Sequence, residues 1–439
     1  MWTVTQVSTT LQKLVTTTAN QLARETGFVQ RASKLTGAAF VQTLLFGWLN
    51  RPQATLQQLA QMAGTVGVAI SPQGLEQRFT PAAARFLYRM LEAAVVHVVT
   101  AHPVAIPLLQ RFAGVYLLDS STVVLPDELA QVWRGCGGNQ AQRTQAALKL
   151  QGQFDLSTGA LRGPWLQDGR GSDRHAPHQT AFQRGALRLA DLGYFSLQTL
   201  RELTSAGVYW LCRLQHQTQV CTPAGAPLEV LAWLSQRRTQ PTDVSILLGA
   251  QARLPARLIA VPVPACVAQA RRRRLRQAAR RKGQTLSPRY LALAAWTLLV
   301  TSVPVEALSV EEALILMRAR WQIELLFKLW KSLGRLDESR SAQPWRQLCE
   351  LYAKMLALLV QHWLLLLSCW EYPDRSLMQA AQTIQRYATS LALALRSCKR
   401  LGEVIVSIQQ CLQTGCRITR RRKHPSTYQL LLDRSSLAY

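Results

Sequence analysis

Three acidic residues stand where their types and spacing could support phosphodiester chemistry. Asp119 ends the apolar run VYLLD, Asp191 ends ALRLAD, and Glu324 lies within MRARWQIELLFKLWKS. Ligand sites of α/β sheets gather where strands end, so we expect the two aspartates to be neighbours if their strands are neighbours. Three converging carboxylates need a counter-charge. Two Mg²⁺ ions, which prefer oxygen ligands, would supply it and could activate the attacking oxygen of a phosphodiester cleavage.

A second interpretation of these acids stays open. Aspartates at strand ends commonly form turns or cap helices. Four other acids compete for any such role: Asp127, Asp155, Asp168 and Asp173. Spacing alone does not favour the triad over a structural role.

The run around Glu324 predicts one amphipathic helix that begins near Ser309, because Ser309 and Glu312 have capping-box spacing. At about 100° per residue, four charged residues fall on roughly one face of such a helix. They are Arg320, Glu324, Lys328 and Lys331. The face could reach the phosphates beside a scissile bond, or it could be a solvated row of i,i+4 ion pairs.

The charge balance favours a polyanionic partner. The 439 residues include 51 Lys and Arg against 24 Asp and Glu, a net charge of +27. Such a charge destabilises a compact protein unless a polyanion shares it, and nucleic acid is the usual one. A membrane surface is the rival partner. No lipidation motif or signal peptide is evident, however, and we interpret the apolar stretch at 356–370 as a helix buried against a sheet. The nine scattered cysteines predict reduced thiols in a cytosolic protein rather than a zinc site.

The pattern along the chain predicts an α/β fold with helical ends. Residues 1–110 look helical, and strand-like runs and a hairpin around Ser157 follow. Strand-like runs between 216 and 300, LEVLAWL among them, surround a basic segment. We expect five parts: 1–110, a helical region; 111–215, the first part of the core; 216–303, a β-rich insertion; 304–370, the second part of the core with the Glu324 helix; and 371–439, a helical basic region.

Three pieces of the chain together carry a family resemblance. YLLDSSTVVLP (116–126) holds the first aspartate, and ADLGYFS (190–196) holds the second in a D-x-G-Y-F segment. Arg320, Glu324 and Lys331 fill the spacing R-x3-E-x6-K. The chain thereby resembles the IS4-type DDE transposases, the group that includes the Tn5 transposase. The resemblance favours the triad over the structural interpretation and extends loosely from Val115 to Val360.

The resemblance implies an RNase H-like core in which Asp119, Asp191 and Glu324 hold two Mg²⁺ ions, with Mn²⁺ as a substitute. Arg320 and Lys331 would bind phosphates that flank the scissile bond. The chain departs from the family at Met317, which stands where tyrosine is usual and cannot donate a hydrogen bond. Lys328 is outside the signature, and we interpret it as surface charge.

The resemblance also implies how the protein meets DNA. Trp296 resembles a tryptophan that stacks on a flipped base in hairpin-forming relatives, although a buried strand tryptophan is an equal alternative. Two basic runs are expected to bind DNA phosphates without sequence choice. They are Arg271, Arg272, Arg273 and Arg274, and Arg420, Arg421 and Arg422. Recognition of the element's ends would belong to the helical head.

The expected function is a cut-and-paste DNA transposase of an insertion sequence. Its partners would be the terminal inverted repeats and the target DNA, bound by a dimer in the cytoplasm, at the nucleoid, without a membrane. Two alternatives remain: a domesticated or inactive relative that binds DNA without cutting it, and an RNase H-like structure-specific nuclease.

Overall fold

The structure is a computed structural model that describes residues 1–136, 145–173, 182–237, 240–281, 283–370, 372, 375–418 and 427–432. The helices are α1 (Val4–Lys13), α2 (Ala19–Glu25), α3 (Gly37–Asn50), α4 (Leu56–Thr65), α5 (Pro72–Glu76), α6 (Pro81–Val95), α7 (Pro107–Gln110), α8 (Leu197–Ser205), α9 (Val230–Ser235), α10 (Ala265–Arg281), α11 (Pro288–Leu293), α12 (Val310–Ala319), α13 (Trp321–Ser332), α14 (Pro344–Cys369), α15 (Leu377–Arg386), α16 (Ala388–Ala394), α17 (Cys398–Thr414) and α18 (Thr427–Leu432). The strands are β1 (Val115–Leu125), β2 (Ala146–Asp155), β3 (Leu161–Asp168), β4 (Leu187–Ala190), β5 (Tyr209–Arg213), β6 (Val220–Cys221), β7 (Thr242–Leu248), β8 (Leu254–Pro262) and β9 (Trp296–Thr301).

Within the described residues, nine strands form a mixed sheet in the order β3-β2-β1-β4-β5-β9-β8-β7-β6. β1 pairs in parallel with β4, and β4 pairs in parallel with β5. The pairs from β5 through β9, β8 and β7 to β6 are antiparallel. The chain divides into two compact units, each made of several segments. The predicted five-part division stays a prediction.

The first unit comprises Met1–Ala105, Asp119–Gly171 and Gln322–Thr419. The long helix α14 lies at its centre and contacts α3, α6, α15 and α17. The β2–β3 hairpin packs on the end of α14, where Nε2 of His362 donates a hydrogen bond to the carbonyl of Gly159 at 2.8 Å. The turn needs glycine at this position because its φ is +70°. This confirms the hairpin that the sequence predicted around Ser157.

The second unit comprises Ile106–Leu118, Ser172–Trp321 and a C-terminal segment that holds α18. Its core lies around Trp210 of β5, which is completely buried, and includes Leu200 of α8 and Leu258 of β8. Helix α8 has Ser196 as its N-cap and is followed by Gly207, whose φ is +70°. The capping box predicted for α12 is also present, with Ser309 as its N-cap and Glu312 at the third helical position.

Three local predictions are wrong. LEVLAWL forms the short helix α9 rather than a strand, because a short apolar run fits either element. VYLLD does not end its strand at the acid, since β1 continues through the polar residues after Asp119 to Leu125. The run MRARWQIELLFKLWKS is not one helix: α12 ends at Ala319, Arg320 is its C-cap, and α13 begins at Trp321. The run contains no glycine or proline that would signal this break.

Helix α14 contains the apolar stretch 356–370. It is the one helix in the described part of the chain that is long and apolar enough to cross a membrane, and 94% of its most apolar window is buried. This confirms that the helix is buried. Its neighbours are mostly helices rather than the expected sheet, and the sheet reaches it through the β2–β3 hairpin. Eight of the nine cysteines are described; all eight are free, and three of them, Cys212, Cys221 and Cys349, are buried.

Candidate active site

Asp119 and Asp191 directly follow the last paired residues of the parallel strands β1 and β4. The register of β1 and β4 runs from Val115 opposite Leu187 to Leu118 opposite Ala190. Asp119 is the next residue after Leu118, and Asp191 is the next residue after Ala190. Although β1 continues, Asp119 is therefore the first residue beyond its pairing with β4. The parallel pairing supplies the neighbouring strands that the sequence argument required.

The side chain of Asp191 does not act as a helix cap. Asp191 occupies the N-cap position of the short 3-10 helix Leu192–Tyr194, yet its side chain makes no capping hydrogen bond. Its backbone carbonyl accepts a hydrogen bond from the N–H of Tyr194 at 3.0 Å. Asp119 accepts a hydrogen bond from the N–H of Ser120 at 2.8 Å. Both aspartates are half-buried, so their carboxylates are not sequestered in the core.

Glu324 lies in the first turn of α13, on a helix that the first unit holds firmly. Five residues on the opposite face are buried: Ile323, Leu326, Phe327, Leu329 and Trp330. Gly152 of β2 admits this face, because a Cβ there would lie 3.2 Å from Cζ of Phe327. Glu324 itself is half-buried. The buried face thus fixes α13 against the hairpin and leaves the edge that carries Glu324 partly accessible.

Lys331 ties α13 to β1 as well. Its Nζ donates a hydrogen bond to the backbone carbonyl of Thr122 at 2.9 Å. Glu324 lies seven residues before Lys331, about 10 Å along a helix, and Asp119 lies three residues before Thr122, about 10 Å along a strand. The Lys331–Thr122 hydrogen bond therefore joins the helix that carries Glu324 to the strand that carries Asp119. Lys328 is exposed, as expected of a surface charge.

Arg320 differs from its predicted setting. It is buried, with 6% of its surface exposed, at the junction that ends α12. Arg320 lies at the junction of α12 and α13, so the four charged residues predicted for one helix are divided between this junction and α13. The phosphate-binding role of Arg320 stays a prediction. Met317 is half-buried on α12.

No metal cluster is formed by the described side chains. Among them, no group of three or more His, Cys, Asp or Glu residues is placed to hold a metal ion. The chemistry of the donor set nevertheless fits a hard divalent cation, because the triad offers only carboxylate oxygens. The joint role of Asp119, Asp191 and Glu324 therefore stays a prediction.

The first basic run divides into two pairs. Nη1 of Arg271 donates to the carbonyl of Trp296 at 3.0 Å and Nη2 to Oγ1 of Thr297 at 3.1 Å, and Nε of Arg272 donates to the carbonyl of Leu291 at 3.1 Å. Burial, with the nearby Arg213 as a second cause, lowers the pKa of Arg271. These two arginines hold α10 against α11 and β9.

Arg273 and Arg274 are exposed on α10, so only this half of the run is available to a phosphate. Trp296 is the first residue of β9 and is partly exposed, which leaves both of its interpretations open. Arg420, Arg421 and Arg422 lie outside the described residues.

Sequence reasoning missed a buried guanidinium beside the second aspartate. Arg188 lies on β4, three residues before Asp191, with 2% of its surface exposed, and burial lowers its pKa. Its Nε and Nη2 make no hydrogen bond within the described part of the chain. The alternation in Leu187-Arg188-Leu189 was a signal, because it sets Arg188 on the opposite face of the strand from both leucines.

Sequence reasoning also missed the clamp that precedes α12. The buried Arg257 of β8 donates hydrogen bonds to both carboxylate oxygens of Asp243 on β7. It also donates to the carbonyls of Val303 at 2.7 Å and Leu308 at 3.1 Å. Leu308 is the residue before the Ser309 cap, so this clamp fixes where α12 begins.

Comparison with known proteins gives one family match and several relatives. Residues 110–360 match the Transposase DDE domain family. The chain is 25% identical to the transposase for insertion sequence element IS231F of Bacillus thuringiensis subsp. israelensis, over 77% of this chain and 75% of that protein. It is 23% identical to the transposase for insertion sequence element IS1151 of Clostridium perfringens, over 78% and 76%. The putative transposase InsL for insertion sequence element IS186A of Escherichia coli (strain K12) is 32% identical over 44% of this chain and 53% of its own length.

Proposed function

This chain belongs to the Transposase DDE domain family, and we propose that it is the cut-and-paste transposase of an insertion sequence. The family makes it an enzyme that cuts and joins DNA with an RNase H-like core and a divalent metal. The observation that carries the proposal is the parallel register of β1 and β4. Leu118 pairs with Ala190, and Asp119 and Asp191 are the residues that follow them.

Asp119, Asp191 and Glu324 are the proposed catalytic carboxylates. Their oxygens would hold two Mg²⁺ ions, or Mn²⁺ in their place, which when bound activate the attacking oxygen and stabilise the leaving oxygen of a phosphodiester. The protein's own contribution is to fix where the carboxylates lie. The β1–β4 pairing fixes the two aspartates, while the buried face of α13 and the Lys331–Thr122 hydrogen bond fix Glu324.

The proposed reaction has two steps at one site. Water attacks the phosphodiester at the transposon end, the bond to the 3′ oxygen breaks, and a 3′-hydroxyl is released. That hydroxyl then attacks a phosphodiester of the target DNA, where a new bond forms as the target's own 3′ oxygen leaves. Lys331 and Arg320 would hold phosphates beside the scissile bond, for which each must exchange its present contacts for the ligand.

The exposed arginines of α10 would bind DNA phosphates without sequence choice, and Trp296 is a candidate for stacking on a base. The protein's high positive charge supports such a role, since phosphate contacts make binding strong and salt-dependent. By family resemblance we further propose that a dimer in the cytoplasm brings two transposon ends together on DNA.

A nicking assay tests this function. DNA that carries the inverted repeats flanking the reading frame is incubated with the full-length protein, with and without Mg²⁺. We expect metal-dependent release of a 3′-hydroxyl at the transposon end, and its loss in Asp191→Asn and Glu324→Gln. Glu128→Gln is the matched control, because Glu128 is an exposed acid outside the motifs. Full activity in Asp191→Asn or Glu324→Gln would end the proposal, and DNA binding without cleavage by the unaltered protein would select an inactive relative.

A further inference from the structure

The helical head contains an open groove that is lined by several polar side chains. It lies between the segment 27–35, which follows α2, and the residues 78–82 that lead into α6, and its volume is about 360 Å³. Arg31 projects from the first wall and Arg78 from the second, and Gln30 and Ser33 add polar groups. Both arginines are exposed.

The charges of the groove are not balanced by acids. The sequence has no Asp or Glu between Glu25 and Glu76. Glu76 is engaged elsewhere, since its carboxylate pairs with Nη1 of Arg346 at 2.7 Å. Within the part of the chain that the structure describes, neither Arg31 nor Arg78 takes part in an ion pair. Two guanidinium groups are thus available to an anionic ligand.

Both walls of the groove are held in place from behind. Phe28 stacks on Phe86 of α6 with ring centroids 5.2 Å apart and contacts Phe40 of α3 at 4.6 Å. On the other wall, Phe79 is buried with 2% of its surface exposed, next to Arg78. Its carbonyl accepts a hydrogen bond from Nε2 of Gln343 at 3.4 Å. Anchored walls hold the backbone on both sides of the groove in place, which lowers the ordering cost of binding.

We propose that this groove binds the phosphodiester backbone of duplex DNA, with Arg31 and Arg78 each contacting a phosphate. The inference rests on the proposed function, because that function supplies the polyanion. Arginine suits this role because its planar fork can bind phosphate oxygens bidentately. Since the contacts are to phosphate, the groove would position the head on DNA and would carry no base preference of its own.

The test is DNA binding by the full-length protein, measured by fluorescence anisotropy with a labelled 30-base-pair duplex of random sequence and without a metal ion. We expect Arg31→Gln and Arg78→Gln each to weaken binding about 3- to 10-fold near 0.15 M salt. Each should also reduce the slope of log K against log salt by about 1. Arg51→Gln is the control, because Arg51 is an exposed arginine of the same head that does not line the groove. Thermal unfolding of each variant confirms that it is folded.

The outcomes separate this inference from the function on which it rests. If the unaltered protein binds no duplex, the proposed function itself fails. If it binds duplex and both groove variants behave like Arg51→Gln, the groove proposal is overturned while the function stands. A second probe, a labelled mononucleotide, identifies the source of the phosphate. Loss of mononucleotide binding with unchanged duplex binding would also overturn a backbone contact.

Discussion

Helices α14 and α10 both carry charged residues, but two of those of α14 are buried in an ion pair whereas most of those of α10 are exposed. On α14, Lys354 and Glu350 form an ion pair at 2.8 Å with side chains 2% and 6% exposed. On α10, only Ala268 and Ala279 are buried, and several of its arginines face solvent. Charge that is enclosed and hydrogen-bonded stabilises one geometry, whereas exposed charge is available to a ligand. The net charge of +27 is therefore not all available to DNA.

The enclosed charge of α14 also supports the proposed active site. Nζ of Lys354 donates hydrogen bonds to the carbonyls of Arg335 and Glu338, both at 2.8 Å. These carbonyls belong to the segment that directly follows α13. Lys354 thus fixes the end of the helix that carries Glu324 and Lys331. Burial lowers the pKa of Lys354, while the neighbouring Glu350 opposes that shift.

The largest expected effect on stability comes from Lys354→Met. The substitution leaves Glu350 buried without its cation and removes the donor from two carbonyls. Breaking a buried ion pair in this way costs about 3–5 kcal/mol. Urea unfolding at neutral pH measures the loss. Lys328→Met is the control, since Lys328 is an exposed lysine on α13. Equal unfolding midpoints for the two variants would remove the distinction between enclosed and exposed charge.

His362 of α14 gives the next largest effect, and it depends on pH. Burial lowers the pKa of His362 to about 4, from 6.5. The unfolded chain therefore binds a proton between these values that the folded chain does not, so this contribution to stability falls as the pH drops from about 6.5 to 4. The loss is about 3 kcal/mol.

Comparison of unfolding at pH 7 and pH 4.5 tests this assignment. His362→Gln retains a donor for the carbonyl of Gly159 but cannot titrate. We expect the stability of this variant to change less between the two pH values than that of the unaltered protein. An identical change in both proteins would assign the pH dependence to other groups.

A smaller loss is expected for Arg271→Gln on α10. This arginine donates two hydrogen bonds, to the carbonyl of Trp296 and to Oγ1 of Thr297. Their removal should lower stability by about 1–2 kcal/mol. Thermal unfolding measures this loss of stability. An unchanged melting temperature would show that the two hydrogen bonds of Arg271 do not stabilise the fold.

The smallest effect on stability is expected for Arg273→Gln combined with Arg274→Gln. Both side chains are exposed, so we expect a change within about 0.5 kcal/mol. DNA binding should respond instead, with the slope of log K against log salt reduced by about 0.9 for each phosphate that the variant no longer neutralises. Filter binding at several salt concentrations provides the slope. An unchanged slope would remove α10 from the DNA-binding surface.

Local signals in the sequence predicted the fold best. The capping box at Ser309 and the hairpin around Ser157 depend on neighbouring residues alone, and both are present. The break at Arg320 is not signalled by any local residue. LEVLAWL was undecidable by periodicity, because a short run of mostly apolar residues fits a helix turn as well as a strand.

The predictions about the candidate site show the same difference between local and long-range signals. Motif spacing identified Asp119, Asp191 and Glu324, and the parallel register of β1 and β4 agrees with the placement expected for the aspartates. Burial was not predictable from spacing. Arg320 and Arg271 carry the same charge as Arg273, yet Arg320 is buried, and Arg271 is hydrogen-bonded to residues 25 and 26 positions further along the chain.

The most direct test of the central claim measures whether the three carboxylates act as one unit. Single-turnover cleavage of DNA with the element's ends is compared for Asp119→Asn, Asp191→Asn, Glu324→Gln and the triple variant, with DNA binding checked by gel shift. Groups that act together are not additive, so each single change should reduce the rate at least about a thousandfold and the triple change should reduce it little further. A single variant that keeps more than about a tenth of the rate, or losses that multiply in the triple variant, would contradict a shared site.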